Sequence, residues 1–216
     1  DPIEYQLPGI NQVQVQPAIG FDFAAGLRSV VRQDPDIIMV GEIRDRETAS
    51  VAMQSALTGH LVFSTVHTND TPSAYTRLLD LGVEEFLLNA ALRSVIGQRL
   101  ARKLCQHCAA PHPEADQIFQ SFNLRGLADR LGIATPRILE AVGCENCGNT
   151  GYKGRVAVAE YLRCDEHIRA MDKGASFIPA ARRHADAQGW RTLVQDGFAK
   201  ALDGVTTISE VLRVAG

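Results

Sequence analysis

Two kinds of apolar pattern alternate along the first hundred residues: short unbroken runs and stripes at helical spacing. Ile37-Ile38-Met39-Val40 runs without a break between the turn signal Asp34-Pro35-Asp36 and Gly41, which predicts a strand buried on both faces. Leu61-Val62-Phe63-Ser64-Thr65-Val66 predicts another, leading into the polar cluster His67-Thr68-Asn69-Asp70. Val13-Gln14-Val15-Gln16 alternates apolar and polar and predicts a third, stopped by Pro17. Between these runs, Asp22 caps a helix with Phe23, Leu27, Val30 and Val31 on one face. Asp45, backed by Glu47, starts a second with Val51, Ala52 and Ala56, ended by Gly59. Thr71-Pro72 opens a third, carrying Leu78 and Leu79 and closed by Gly82, and a fourth covers about Glu84 to Ile96. Strands alternating with helices predict the α/β class with a mostly parallel sheet.

The second half is patterned differently. Helices are predicted over Asp116 to Phe122 and Leu124 to Leu131, with Thr135-Pro136 capping a third stretch through Ala141. Arg155 to Leu162 reads as a strand. Helix-spaced residues then fill Asp165 to Met171, Ile178 to Gln188, Trp190 to Asp203 and Ile208 to Val214, broken at Gly174, Gly189 and Gly204. Thr207 with Glu210 makes a capping pair for the last of them. The chain divides into residues 1–104, 105–163 and 164–216, with no internal repeat or low-complexity tract.

With 216 residues, 45% of them apolar, the chain has room for one core plus a smaller satellite. A formal net charge of −3 offers no basic field for a phosphate backbone, so no nucleic-acid partner is expected. No apolar run approaches the ~20 residues that span a bilayer, and no signal segment opens the chain, which reads as intracellular. The opening Asp1-Pro2-Ile3-Glu4, without a methionine, reads as the middle of a domain.

Ligands of parallel sheets sit at the carboxyl ends of the strands. Glu42, with Arg44 and Asp45, stands at one such end in the manner of a Walker B element; a strand followed by a solvated acidic loop would show the same letters. His67, Thr68 and Asn69 stand at a second end, and Asp1 and Glu4 would stand at a third. Carboxylates so placed can hold a water or a magnesium ion, and an imidazole can sense a terminal phosphate. His60 and His67 fit equally well as hydrogen-bonded structural histidines.

These boxes resemble a family. Asp1-Pro2-Ile3-Glu4-Tyr5 is similar to the aspartate box, Asp34 through Asp45 to the Walker B box, and Thr58-Gly59-His60 through His67-Thr68-Asn69-Asp70 to the histidine box of the secretion ATPases, the hexameric motors of type II secretion and type IV pilus assembly. The resemblance implies that residues 1–104 are the C-terminal part of a RecA-like P-loop ATPase core using ATP and Mg2+. It implies that Glu42 polarises the attacking water, that Glu4 and Asp1 act near magnesium and water, and that His67 meets the terminal phosphate. Arg44 then belongs to the nucleotide site, and His60 couples it to its surroundings. The family forms hexameric rings at the cytoplasmic face of the inner membrane and passes motion to a membrane platform protein. Tyr5-Gln6-Leu7 with Gly9-Ile10-Asn11-Gln12 leans toward the secretion branch over pilus extension.

One departure qualifies all of this. Cradling phosphates takes GxxxxGK[ST], and no Gly-Lys pair occurs in the chain. Gly148 to Gly154 is glycine-rich but precedes a strand, so it reads as a turn. The upstream domain that supplies arginines to the site in this family is missing as well. By itself the chain is expected to bind ATP weakly or not at all.

Cys105-Gln106-His107-Cys108 and Cys144-Glu145-Asn146-Cys147 form two CxxC pairs, whose four thiolates suit structural zinc. Disulfides and an iron–sulfur centre are alternatives, and His107 and His112 are alternative ligands. The family resemblance agrees, since its members carry a tetracysteine metal module here. The 35 residues between the pairs predict a small, core-poor helical insertion that metal holds together. Cys164 is left over as a buried thiol. A nucleic-acid-binding ribbon or a zinc-bearing interaction module would use the same cysteines. However, Arg93, Arg99, Arg102 and Lys103, without interleaved aromatics, fit a solvated face or subunit contact better.

Overall fold

The structure, a computed structural model, describes residues 3–216, without the side chain of Pro17. These residues form two compact units, one from residues up to 95 together with 163–181, the other from 96–162 with 182–216.

In the first unit, α1 (Phe23–Val31) leads to β1 (Ile37–Val40), then α2 (Arg46–Leu57), β2 (Leu61–Ser64), α3 (Ser73–Asp80) and α4 (Glu85–Ala91). β1 and β2 pair in parallel, with Ile37 opposite Leu61 and Val40 opposite Ser64. The aspartates at the helix starts act as the sequence predicts. An Asp22 carboxylate oxygen accepts the Ala25 N–H at 2.8 Å, and Asp45 accepts both the Thr48 N–H at 2.8 Å and its hydroxyl at 2.9 Å. At α3 the capping side chain is Asp70, taking the Ser73 N–H at 2.9 Å, and not the expected Thr71.

β1 buries Ile38 and Val40 but leaves Ile37 and Met39 exposed, so only one face is covered, by α1 on β1 and α2 on β2. The strand expected at Val13 to Gln16 does not form. Alternation specifies a strand only when a neighbour offers its ladder, and among the described residues this segment has only the isolated bridge from Gln16 to Phe21.

In the second unit, β3 (Ser94–Leu104) is bonded to β6 (Tyr152–Arg163). β4 (Ala109–Pro111) and β5 (Leu139–Ala141) make an antiparallel ribbon beside the cysteines. The expected helix through Ala141 is therefore a strand, and the helix expected to reach Ile96 stops at Ala91, after which β3 begins. α5 (Ala115–Ser121) and α6 (Leu124–Leu131) fill the insertion. Beyond β6, α7 (Glu166–Ala170) and the start of α8 (Phe177–Ala187) belong to the first unit, and α9 (Leu193–Leu202) and α10 (Ile208–Ala215) to the second.

The insertion is not core-poor. Its Phe119, Leu124, Leu127 and Ile138 share one buried cluster with Phe198, Leu202, Ile208 and Val211 of α9 and α10. α9 and α10 approach so closely that a Cβ on Gly197 would lie 2.4 Å from a Val211 methyl. Among the described residues no helix is long and apolar enough to cross a membrane.

Candidate functional site

The loop after β1 is stitched to the end of β2 by backbone bonds. Ile43 N–H donates to Thr65 O at 3.0 Å, and the Thr65 hydroxyl donates to Gly41 O at 2.6 Å. Glu42 is thereby fixed between them and is only 5% exposed. Sequence reasoning did not single out Thr65; its position at the end of the second apolar run was the available signal.

One Glu42 carboxylate oxygen accepts from Arg44 Nε at 2.5 Å, and the other lies 2.9 Å from His67 Nε2. The Arg44 hydrogen bond lowers the Glu42 pKa, burial opposes it, and the charges of Arg44 and His67 lower it further. Arg44 is correspondingly raised by the same hydrogen bond. Glu42 is therefore an ionised, weakly basic acceptor, suited to orienting a polar molecule at the strand end.

The structure brings Glu42, Arg44 and His67 into one cluster, while Asp45 and His60 bond elsewhere. Asp45 is occupied as the α2 cap. His60 Nδ1 is 2.9 Å from Ser55 O and 3.2 Å from the Thr58 hydroxyl, at the end of α2. Glu4 is half-buried and, among the described residues, makes no hydrogen bond or ion pair to the cluster. Asp1 lies outside the described residues. Among the described residues, the single group of three or more ligating side chains is the four cysteines.

The sulfurs of Cys105, Cys108, Cys144 and Cys147 all lie within 4.8 Å of one another. Cys105 to Cys144 and Cys108 to Cys147 are 3.9 Å apart, and Cys144 to Cys147 is 3.8 Å. Four thiolates about 2.3 Å from a tetrahedral zinc stand about 3.8 Å from each other, whereas a disulfide needs about 2.05 Å. The donor set therefore fits zinc and excludes disulfides, and His107 and His112 stay out of it. His112 Nδ1 instead accepts the Glu114 N–H at 3.1 Å.

Backbone N–H groups point at the sulfurs: Gly143 to Cys108 at 3.3 Å, and Cys144 and Gly151 to Cys147 at 3.2 Å each. Burial pushes the Cys108 thiol up to about 12. Cys147, although burial opposes it, is drawn down to about 6 by the N–H groups of Cys144 and Gly151. Cys164 is buried as expected, and that burial raises its pKa to about 11.

A family model described as type II/IV secretion system protein matches residues 1–213. The type IV pilus assembly ATPase PilB of Thermus thermophilus is 49% identical over 215 residues, covering 98% of this chain and 23% of the relative. Type II secretion system protein E of Pseudomonas aeruginosa is 46% identical over 217 residues, covering 99% of this chain and 41% of the relative. The chain thus spans well under half the length of these relatives. Among solved structures, the Legionella pneumophila ATPase DotB matches 89% of this chain and 42% of its own, with a TM-score of 0.59 at 24% identity. The pilus retraction motor PilT with bound ADP matches 89% of this chain and 43% of its own, with a TM-score of 0.57 at 24% identity. The α/β fold is shared with both.

Proposed function

Because the chain belongs to the family of type II/IV secretion system proteins, we propose that it supplies the carboxyl-terminal part of a hexameric ATPase that drives type II protein secretion by assembling the pseudopilus. The observation that carries this reading is Glu42, buried at the end of a parallel strand and held ionised by Arg44 and His67. In ATP hydrolysis a water attacks the terminal phosphorus through a loose transition state, so catalysis is chiefly positioning and charge. A weakly basic carboxylate orients such a water rather than deprotonating it early. Mg2+, when bound with ATP, neutralises the β- and γ-oxygens.

Arg44 and His67 then exchange Glu42 for phosphate oxygens as the nucleotide enters, and Glu4 and Asp1 serve water and magnesium beside them. The four cysteines hold a structural zinc. The ring works in the cytoplasm against the inner-membrane platform proteins of the secretion machinery. Without a GxxxxGK[ST] segment, the chain alone binds ATP weakly and is inactive.

Titration calorimetry of the 216-residue chain tests the last point, and micromolar ATP affinity would sink it. In a version extended through a phosphate loop, Glu42→Gln is expected to abolish hydrolysis while nucleotide still binds; full activity would refute the role of Glu42. A second reading, type IV pilus extension, is favoured by the 49% identity to the Thermus pilus ATPase. Deleting the gene in its native host separates the two by whether secreted enzymes or surface pili disappear.

A further inference from the structure

The two histidines of the His60 to His67 segment each meet an acceptor, but through different ring nitrogens. Gly59, at φ +110°, turns the chain out of α2 so that both the backbone N–H and the ring of His60 meet Ser55 O, at 3.2 Å and 2.9 Å. A carbonyl oxygen only accepts, so the ring nitrogen facing it, Nδ1, carries the proton. Thr58 agrees: its hydroxyl hydrogen is directed to Gln54 O at 3.1 Å or Ser55 O at 3.0 Å, leaving a lone pair toward Nδ1. A neutral imidazole has one N–H, so Nε2 of His60 is left with a bare lone pair. His67 is the reverse. Its Nε2 meets a Glu42 carboxylate oxygen at 2.9 Å, and an ionised carboxylate only accepts, so there Nε2 carries the proton.

A bare Nε2 repels phosphate oxygens and attracts N–H cations. We infer that His60 is a positioning residue that accepts a hydrogen bond at Nε2 from a guanidinium or ammonium group completing the nucleotide site. The role, though not the tautomer, rests on the ATPase reading given above.

The tautomer is measured in the 216-residue chain by two-bond proton–nitrogen correlation of the histidine rings at mildly alkaline pH, with His60 assigned by its loss in His60→Gln. The expected pattern is a protonated Nδ1 and an unprotonated Nε2 at His60; the reverse overturns the inference.

The role is measured in the version extended through a phosphate loop. His60→Gln keeps an acceptor near the Nε2 position, whereas His60→Asn keeps a donor near Nδ1 and loses that acceptor. The Gln variant should retain most of kcat. The Asn variant, with an unchanged melting curve, should lose about tenfold in kcat with KM for ATP nearly unchanged. A rise of about tenfold in KM with kcat kept would make His60 a phosphate ligand and overturn the proposal. Hydrolysis that survives Glu42→Gln would defeat the ATPase reading instead, and the ring correlations stand apart from that result.

Discussion

Glu210 offers the most direct test of how the second unit is held. Its side chain is fully buried and accepts four hydrogen bonds: from Arg102 N at 2.9 Å, Arg102 Nη2 at 2.7 Å, Arg213 Nε at 2.8 Å and Arg213 Nη2 at 2.6 Å. Those from Arg213 lower its pKa most, burial opposes, and those from Arg102 lower it further. Replacing Glu210 with glutamine keeps the shape but removes the charge and turns an NH2 toward guanidinium donors. Breaking a buried ion pair costs about 3 to 5 kcal/mol. Here the arginine side chains are 47% and 57% exposed and regain part of that from water, so about 2 to 3 kcal/mol is expected.

The pH dependence fixes the sign. A carboxylate with a folded pKa below its unfolded value stabilises fully above about pH 4.3, and that contribution is lost as pH falls further, by up to about 1.4 kcal/mol per unit. The gap between wild type and Glu210→Gln should therefore narrow on acidification. Trp190 is the only tryptophan and packs edge-on against Tyr161 within the same unit, with ring centroids 5.8 Å apart, so its fluorescence follows unfolding of this unit in urea. A gap below about 0.5 kcal/mol near neutral pH, or one just as wide at about pH 3, would refute the argument.

Stripping metal with a chelator, or Cys144→Ser, should remove bound zinc by mass spectrometry and expose the amides of β4 and β5 to exchange. The amides of α5 and α6 should stay protected by the core they share with α9 and α10, and their loss would mean that metal alone supports the insertion. Leu124→Ala empties a fully buried site in that core and should cost about 2 to 5 kcal/mol in the Trp190 transition, although the residue lies in the insertion; no change there would show that the insertion unfolds independently.

What the sequence disclosed depended on range. The caps at Asp22, Asp45 and Thr207, and the strands at Ile37 and Leu61, involve residues a few positions apart and were legible. β3 was hidden because Leu87, Leu88, Ala91, Leu92, Val95 and Ile96 continue a helical spacing past Ala91, and only pairing with β6 decides against it. The clasp of Arg102 by Glu210 joins residues 108 apart, and nothing local pairs them: Glu210 reads as the acid of a capping pair and Arg102 as a solvated or subunit-facing charge. The shared core of the insertion escaped notice for the same reason: Leu124 and Val211 each read as ordinary helix-face residues until the two helix pairs are packed.

The candidate site shows the same limit in a form that bears on function. A glutamate after an apolar run fits a Walker B or a solvated acidic loop equally well, and the two differ in what surrounds the carboxylate. In a solvated loop it would face water. Glu42 is instead buried, with one oxygen on Arg44 and the other on His67, and the flanking Gly41 and Ile43 are bonded to Thr65 across the sheet. Burying a charge is costly unless it is paired and hydrogen-bonded. Placing Glu42 there therefore commits the Arg44 guanidinium, a ring N–H of His67 and the end of the neighbouring strand to holding it. A loop without a task would gain nothing from that arrangement, since turning the carboxylate into water would relieve the burial and release both partners.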